Sequence, residues 1–188
     1  MMGRDQEEQD KIQTGRALQE IAQPMPQVFD IHIASDGSWY HEGGVIGRPA
    51  LVKLFASVLR REDDGSFWLV TPVERGTITV ADAPFVVTSM QVEGAGRDQK
   101  IIFTTNVDDI LSLSADHPLV MRPRRDADDD ASTSKNGIQA QAPYIMVRDG
   151  LEAKLSRPVF YELAELAVPG DGGALGVWSD SIFFDLEG

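Results

Sequence analysis

Apolar and polar positions along this chain change period several times, and each change predicts an element. Val28, Ile31 and Ile33 stand among polar residues ahead of the dipeptide Asp36-Gly37, the pattern of a hairpin whose second arm is 38–42. After Gly43-Gly44 and the boundary Gly47-Arg48-Pro49 the spacing becomes helical: Leu51, Leu54, Phe55, Val58 and Leu59 fall at i, i+3, i+4, i+7 and i+8. Proline suits the first turn of that helix, Arg60-Arg61 would close its negative end, and Asp63-Asp64-Gly65 would stop it. A strand is predicted over 67–71, ended by Pro72, and another over 77–80. Strands then dominate from 84 to 114, over 85–92, 100–105 and 110–114, with a Gly94-Ala95-Gly96 turn, which reads as a meander. Order returns at 143–148, turns at Asp149-Gly150 and continues through 151–155. Residues 1–23 are polar with a weak helical pattern (Ile12, Leu18, Ile21, Ala22) and read as a frayed arm or loosely docked helix. Residues 122–142 are acidic and of low complexity, the composition of a mobile loop.

The pattern rhymes with itself. Asp36-Gly37, then Arg48-Pro49 and a helix, recurs as Asp149-Gly150, then Arg157-Pro158 and a helix with Phe160, Leu163, Ala164 and Ala167 on one stripe. Each helix leads through a glycine-containing turn to an aromatic strand, Phe67-Trp68-Leu69 or Val177-Trp178 with Ile182-Phe183-Phe184. A duplicated hairpin-helix-strand unit follows, and with it an α+β fold of two small domains, 24–80 and a larger β-rich 81–188 with one helix.

Composition narrows the function. The chain has 188 residues, enough for one ordinary domain or two small ones. Lys+Arg 17 against Asp+Glu 30 gives a net charge of −13, which repels nucleic-acid backbones and anionic membranes. With no cysteine, disulfides, iron–sulfur clusters, Cys zinc sites and thiol nucleophiles are excluded. The start lacks an apolar export segment, and runs such as 83–87 and 51–59 fall short of the roughly 20 residues that cross a bilayer, so a soluble cytoplasmic protein is expected.

Common catalytic signatures are missing. Neither phosphate-cradling glycine motif occurs, and Gly94-Ala95-Gly96 joins two strands instead of opening a helix. His32, His41 and His117 have no ligand spacing. Asp126, Asp128 and Asp130 imitate the start of a calcium loop, but Ala131 and Gly137 occupy the positions of its glycine and bidentate glutamate. There is no nucleophile-elbow serine. No cofactor and no metal are expected.

The succession IxxDGxW (33–39), RPALVKLFASVL (48–59), FWLVTPVE (67–74), ITVADAPF (78–85), FTTN (103–106), PYIMVRDGLEAKLSRPVFYEL (143–163) and GVWSDSIFF (176–184) resembles the uncharacterised bacterial family known as domain of unknown function 1285. The likeness spans nearly everything after residue 23. It departs in the long acidic 122–142 and in Ser179-Asp180-Ser181, where a glycine would be expected. It implies a two-domain α+β fold with a repeated motif, a C-terminal part loosely similar to pleckstrin-homology barrels, and a ligand site between the domains.

Polar residues at the strand ends of these motifs are the binding candidates: Thr71, Glu74, Asp82, Thr105, Asn106, Arg148 and Glu152, with Phe85, Pro72 and Pro84 as an apolar wall. Arg148 either presents its planar fork to a phosphate or carboxylate, or pairs with Asp82, Glu74 or Asp108 to fix the domains together. For Phe85 the reading as a core aromatic, and for the two prolines as rigid turns, is the one that composition rules favour. The first expectation is a non-enzymatic module that binds a small anionic, nucleotide-like ligand between its domains, in a signalling role. The alternatives are an enzyme using Glu74 or Asp82 as a base, and an interaction module whose aromatic strands dock a partner.

Overall fold

The structure is a computed structural model that describes residues 25–123 and 141–187. The expected arm or helix over 1–23, and most of the acidic loop with Asp126, Asp128 and Asp130, lie outside the described residues.

The first half is one six-stranded sheet and a helix. Its strands are β1 (Pro26–Ile33), β2 (Trp39–His41), β3 (Gly44–Val45), β4 (Leu59–Arg61), β5 (Phe67–Val70) and β6 (Arg75–Val80), in the order β3-β2-β1-β6-β5-β4; helix α1 (Pro49–Val58) joins β3 to β4. Ile31 and Ile33 of β1 are buried while Asp30 and His32 face outward, as alternation requires. Strand β1 closes on β6 in parallel, placing Val28 beside Thr77 and Ile33 beside Val80.

Helix α1 starts on Pro49 as expected but is rotated from the sequence stripe. Leu59 leaves the helix to open β4 opposite Leu69 and is fully buried. That anchor turns Phe55 and Ala56 inward and leaves Leu54 59% exposed. Arg60 and Arg61 are therefore strand residues. Arg60 Nη1 still donates to the carbonyls of Ser57 and Leu59 at the helix end, at 3.2 and 2.7 Å, whereas Arg61 reaches across to the other half.

The second sheet holds β7 (Phe85–Glu93), β8 (Lys100–Thr105), β9 (Ile110–Ser112), β10 (Leu119–Pro123), β11 (Gln141–Arg148) and β12 (Leu151–Leu155), in the order β10-β11-β12-β7-β8-β9. Strands β7, β8 and β9 form the expected meander; β12 then joins β7 in parallel. Strand β10 runs into the charged stretch that was expected to be loop, because β11 supplies a partner for each of its residues, Arg122 opposite Ala142 included. Helix α2 (Arg157–Glu165) packs on β7 with Val159 and Leu163 buried. The three-stranded β13 (Val168–Pro169), β14 (Leu175–Ser179) and β15 (Ile182–Asp185) completes the half.

The turn from β14 to β15 explains why a glycine was expected there. Asp180 and Ser181 both take left-handed φ, +52° and +62°. Hydrogen bonds from Asp180 N to Gln99 O, Ser181 N to Arg97 O and Ser181 Oγ to Asp98 Oδ1 hold them at 2.8 to 2.9 Å.

A continuous apolar core runs through both halves, from Ile33, Trp39 and Leu59 to Phe85, Phe103, Ile145, Leu163 and Val177. The architecture is mostly β with two helices among the described residues, none of them long and apolar enough to cross a membrane.

Candidate ligand groove

The seam between the halves is organised by the β8–β9 turn. Thr105 is 1% exposed, and its hydroxyl accepts the amides of Val107 and Asp109 at 3.3 and 3.1 Å while Thr105 N donates to Asp109 O at 2.9 Å. Asp108 is held in left-handed backbone at φ +66°. The next side chain is a latch. Asn106 Oδ1 accepts Val86 N at 3.0 Å, and its Nδ2 donates across the seam to Gly37 O at 3.1 Å. Gly37 itself sits at φ +83°, and a Cβ there would come within 2.7 Å of Asn106 Nδ2 and 2.9 Å of Val86 Cγ2.

Arg148, at the end of β11, also bridges the halves. Nη1 donates to Asp109 Oδ2 at 3.1 Å, Nη2 donates to Ala56 O of α1 at 2.7 Å, and the guanidinium stands 5.2 Å from the centre of the Phe85 ring. The carboxylate it pairs with is Asp109, not Asp82, Glu74 or Asp108. Asp108 instead pairs with Lys53 of α1. Lys53, Ala56, Ser57, Val107, Asp109 and Arg148 enclose a groove of about 250 Å3. A second cavity of about 310 Å3, more apolar, is walled by Trp39, Val45, Ile46, Pro49, Val52 and Asn106. Consecutive residues of α1 (Val52, Lys53) and of the β8–β9 turn (Asn106, Val107) contribute to both. Trp39 is 2% exposed, and its indole N–H has no hydrogen-bond partner among the described residues.

The seven polar candidates and Phe85 divide. Arg148 and Asn106 each wall one of these cavities, Thr105 shapes the turn between them, and Phe85, 0% exposed, lies beneath Arg148 as a core ring. Thr71 and Glu74 lie elsewhere, in the β5–β6 turn, where the Thr71 hydroxyl bonds Glu74 backbone N and O at 3.0 Å. They border an apolar cavity of about 200 Å3 lined by Phe29, Phe55, Val58 and Leu69. Asp82 is 5% exposed and held within the second half: Tyr144 Oη donates to Oδ1 at 2.8 Å and Lys154 Nζ to Oδ2 at 2.6 Å. Glu152 pairs with Arg122 and, at 3.8 Å, with Arg61, which also donates to Gly150 O at 3.0 Å.

The residues missed at the groove are Lys53, Asp109 and Trp39. Lys53 looked like the polar side of an amphipathic helix, and Trp39 like a hairpin aromatic; only the packing of α1 against the β8–β9 turn gives them a shared surface. Neither Trp39 nor Trp178 makes an exposed apolar patch, since Trp39 is buried and Arg97 covers Trp178 at 4.3 Å from the ring centre. Among the described residues no three His, Asp or Glu side chains gather as a metal cluster.

These features define a class: a mostly β protein of two six-stranded sheets, a smaller three-stranded one and two helices, whose halves meet along a charged and an apolar cavity. Sequence profiles place it more closely. The N-terminal domain of unknown function DUF1285 matches residues 22–83, and the C-terminal domain of the DUF1285 proteins of unknown function matches 84–186. The chain belongs to the DUF1285 family. Among solved structures it is similar to a DUF1285 family protein from Silicibacter pomeroyi DSS-3, at 41% identity over 89% of this chain and 85% of that one, with a TM-score of 0.75. A DUF1285 family protein from Shewanella baltica OS155 shares the fold at 24% identity, over 73% of this chain and 92% of that one, with a TM-score of 0.53. No curated protein matches.

Proposed function

We propose that the seam binds a small anionic ligand with an apolar or aromatic end, nucleotide-like in that sense, and that the protein acts as a non-enzymatic, signalling-type module. The observation that carries the reading is the pair of cations from opposite halves, Lys53 and Arg148, in one groove. Arg148 has five N–H donors, of which Asp109 and Ala56 take two. An incoming anion would exchange with Asp108 and Asp109 as counter-ion. The apolar end would rest against Ile46, Val52 and Trp39, whose unpartnered N–H offers one donor. A ligand held this way contacts both halves, so its occupancy changes how firmly they are joined.

The duplicated origin of the halves belongs to the same reading, with 24–80 and 81–188 as the units and the pleckstrin-homology likeness in the second. It is supported by reciprocal docking of the two Asp-Gly turns. Gly37 O accepts from Asn106 of the second half, and Gly150 O accepts from Arg61 of the first.

A thermal-shift screen of nucleotides, sugar phosphates and carboxylates tests the ligand. A binder at a hundred times its Kd stabilises by about 2.7 kcal/mol. Stabilisation should vanish in Arg148→Ala and weaken in Lys53→Ala, a half-exposed position that leaves the fold intact. Equal stabilisation of all three proteins, or of none by any anion, overturns the proposal.

A further inference from the structure

The apolar cavity beside Thr71 and Glu74 has no place in the ligand reading. Phe29 and Ile31 of β1, Phe55 and Val58 of α1 and Leu69 of β5 line it, and Phe29, Phe55 and Val58 keep part of their surface uncovered by the described residues. A six-stranded sheet is about 24–29 Å wide, whereas one helix covers about 10 Å, so α1 alone leaves this strip of the sheet open. We propose that residues 12–22 of this same chain seat there, with Leu18, Ile21 and Ala22 entering the cavity.

Three observations select this occupant. The first is where the upstream chain departs. Pro26, the first residue of β1, pairs with Arg75, immediately after Glu74 on the cavity rim. Ile21 is five residues before Pro26, an extended reach of about 17 Å. The second is sequence pattern: Leu18, Ile21 and Ala22 fall at i, i+3 and i+4, one face of a helix, while Arg16 and Glu20 cancel in charge. The third is tethering. A segment joined through a few residues competes at an effective concentration on the order of millimolar, which a second copy or a separate partner would have to exceed. Met25 and Val73, 83% and 79% exposed near the same rim, extend the apolar surface available to it.

Hydrogen exchange on the full chain at two protein concentrations tests this. Amides of 12–22 should exchange at least about tenfold more slowly than an unstructured chain, the opening cost of returning aliphatic side chains to water, and equally at both concentrations. Leu18→Asp with Ile21→Asp should abolish that protection while the amides of β1 and β8 keep theirs. The absence of cysteine allows a second measurement: Ile21→Cys with Thr71→Cys should be bridged within one chain by a short bismaleimide, and Gly3→Cys with Thr71→Cys should not. Unprotected amides, protection that grows with concentration as a second copy would give, or equal cross-linking of the two pairs overturns the proposal.

Discussion

Gly37→Ala is the sharpest test of how the halves are joined. The substitution places a methyl group on a residue at φ +83°, 2.7 Å from Asn106 Nδ2 and 2.9 Å from Val86 Cγ2. The left-handed backbone costs an alanine roughly 1–2 kcal/mol. Moving Asn106 aside breaks its bonds to Gly37 O and Val86 N, at about 0.5–1.5 kcal/mol each. The expected loss is therefore about 2–5 kcal/mol. Urea unfolding followed by circular dichroism and tryptophan fluorescence measures it, with an unchanged m-value showing that the same surface is exposed. Asn106→Ala alone removes both hydrogen bonds and one of the two clashing groups. The double variant should accordingly lose less than the sum of the singles, by about 1 kcal/mol or more. A Gly37→Ala loss below about 1 kcal/mol, or strict additivity, would refute the latch.

Three further outcomes are expected. Ser179, 0% exposed, accepts Ile101 N at 3.0 Å and donates to Leu113 O at 2.7 Å; Ser179→Ala leaves both backbone groups buried and should cost about 2–3 kcal/mol in chemical unfolding. Lys154→Met takes the cation from the Asp82 carboxylate, 1% exposed in its side chain and bonded otherwise by the neutral Tyr144 hydroxyl, and should cost about 3–5 kcal/mol, of which adding Asp82→Asn recovers a measurable part. Asp64 accepts the Ser66 hydroxyl and amide at 2.5 and 2.8 Å, which hold its carboxyl below the ordinary value. Its stabilising contribution is thus present above the unfolded value of about 3.9 and is lost as pH falls through the lower folded one. NMR titration should place the Asp64 midpoint below that of an ordinary aspartate, and Ser66→Ala should move it back up; an unmoved midpoint counts against the hydroxyl as the main cause.

Much of the local structure was legible because its causes are local. Pro49 started α1, the Asp-Gly pairs made their turns, and β12 spans Leu151–Leu155, the stretch read as ordered after the second of them. Even the missing glycine at 179–181 was informative, since two left-handed residues occupy that turn. The rotation of α1 and the existence of β10 were not legible. Each depends on a partner strand, β5 opposite Leu59 and β11 opposite Arg122, and neither partner is marked in the segment itself.

The candidate residues show the same division. Motif position alone picked out Arg148, Asn106 and Thr105, which meet at the cavities of the seam, together with Thr71, Glu74 and Asp82, which serve a turn and an ion pair elsewhere, and Glu152, which pairs with Arg122 and, across the halves, with Arg61. A strand end looks alike in sequence whether it faces a groove or a neighbouring carboxylate. By itself the sequence determined the family, most of the sheet-forming segments and the two helices, because periodicity and turn chemistry act within a few residues. Only the tertiary structure decided that β1 runs parallel to β6 and β12 to β7, and that Lys53 of one half shares a groove with Arg148 of the other. Those placements come from burying one apolar core across both halves, a free energy that depends on surfaces far apart in the chain.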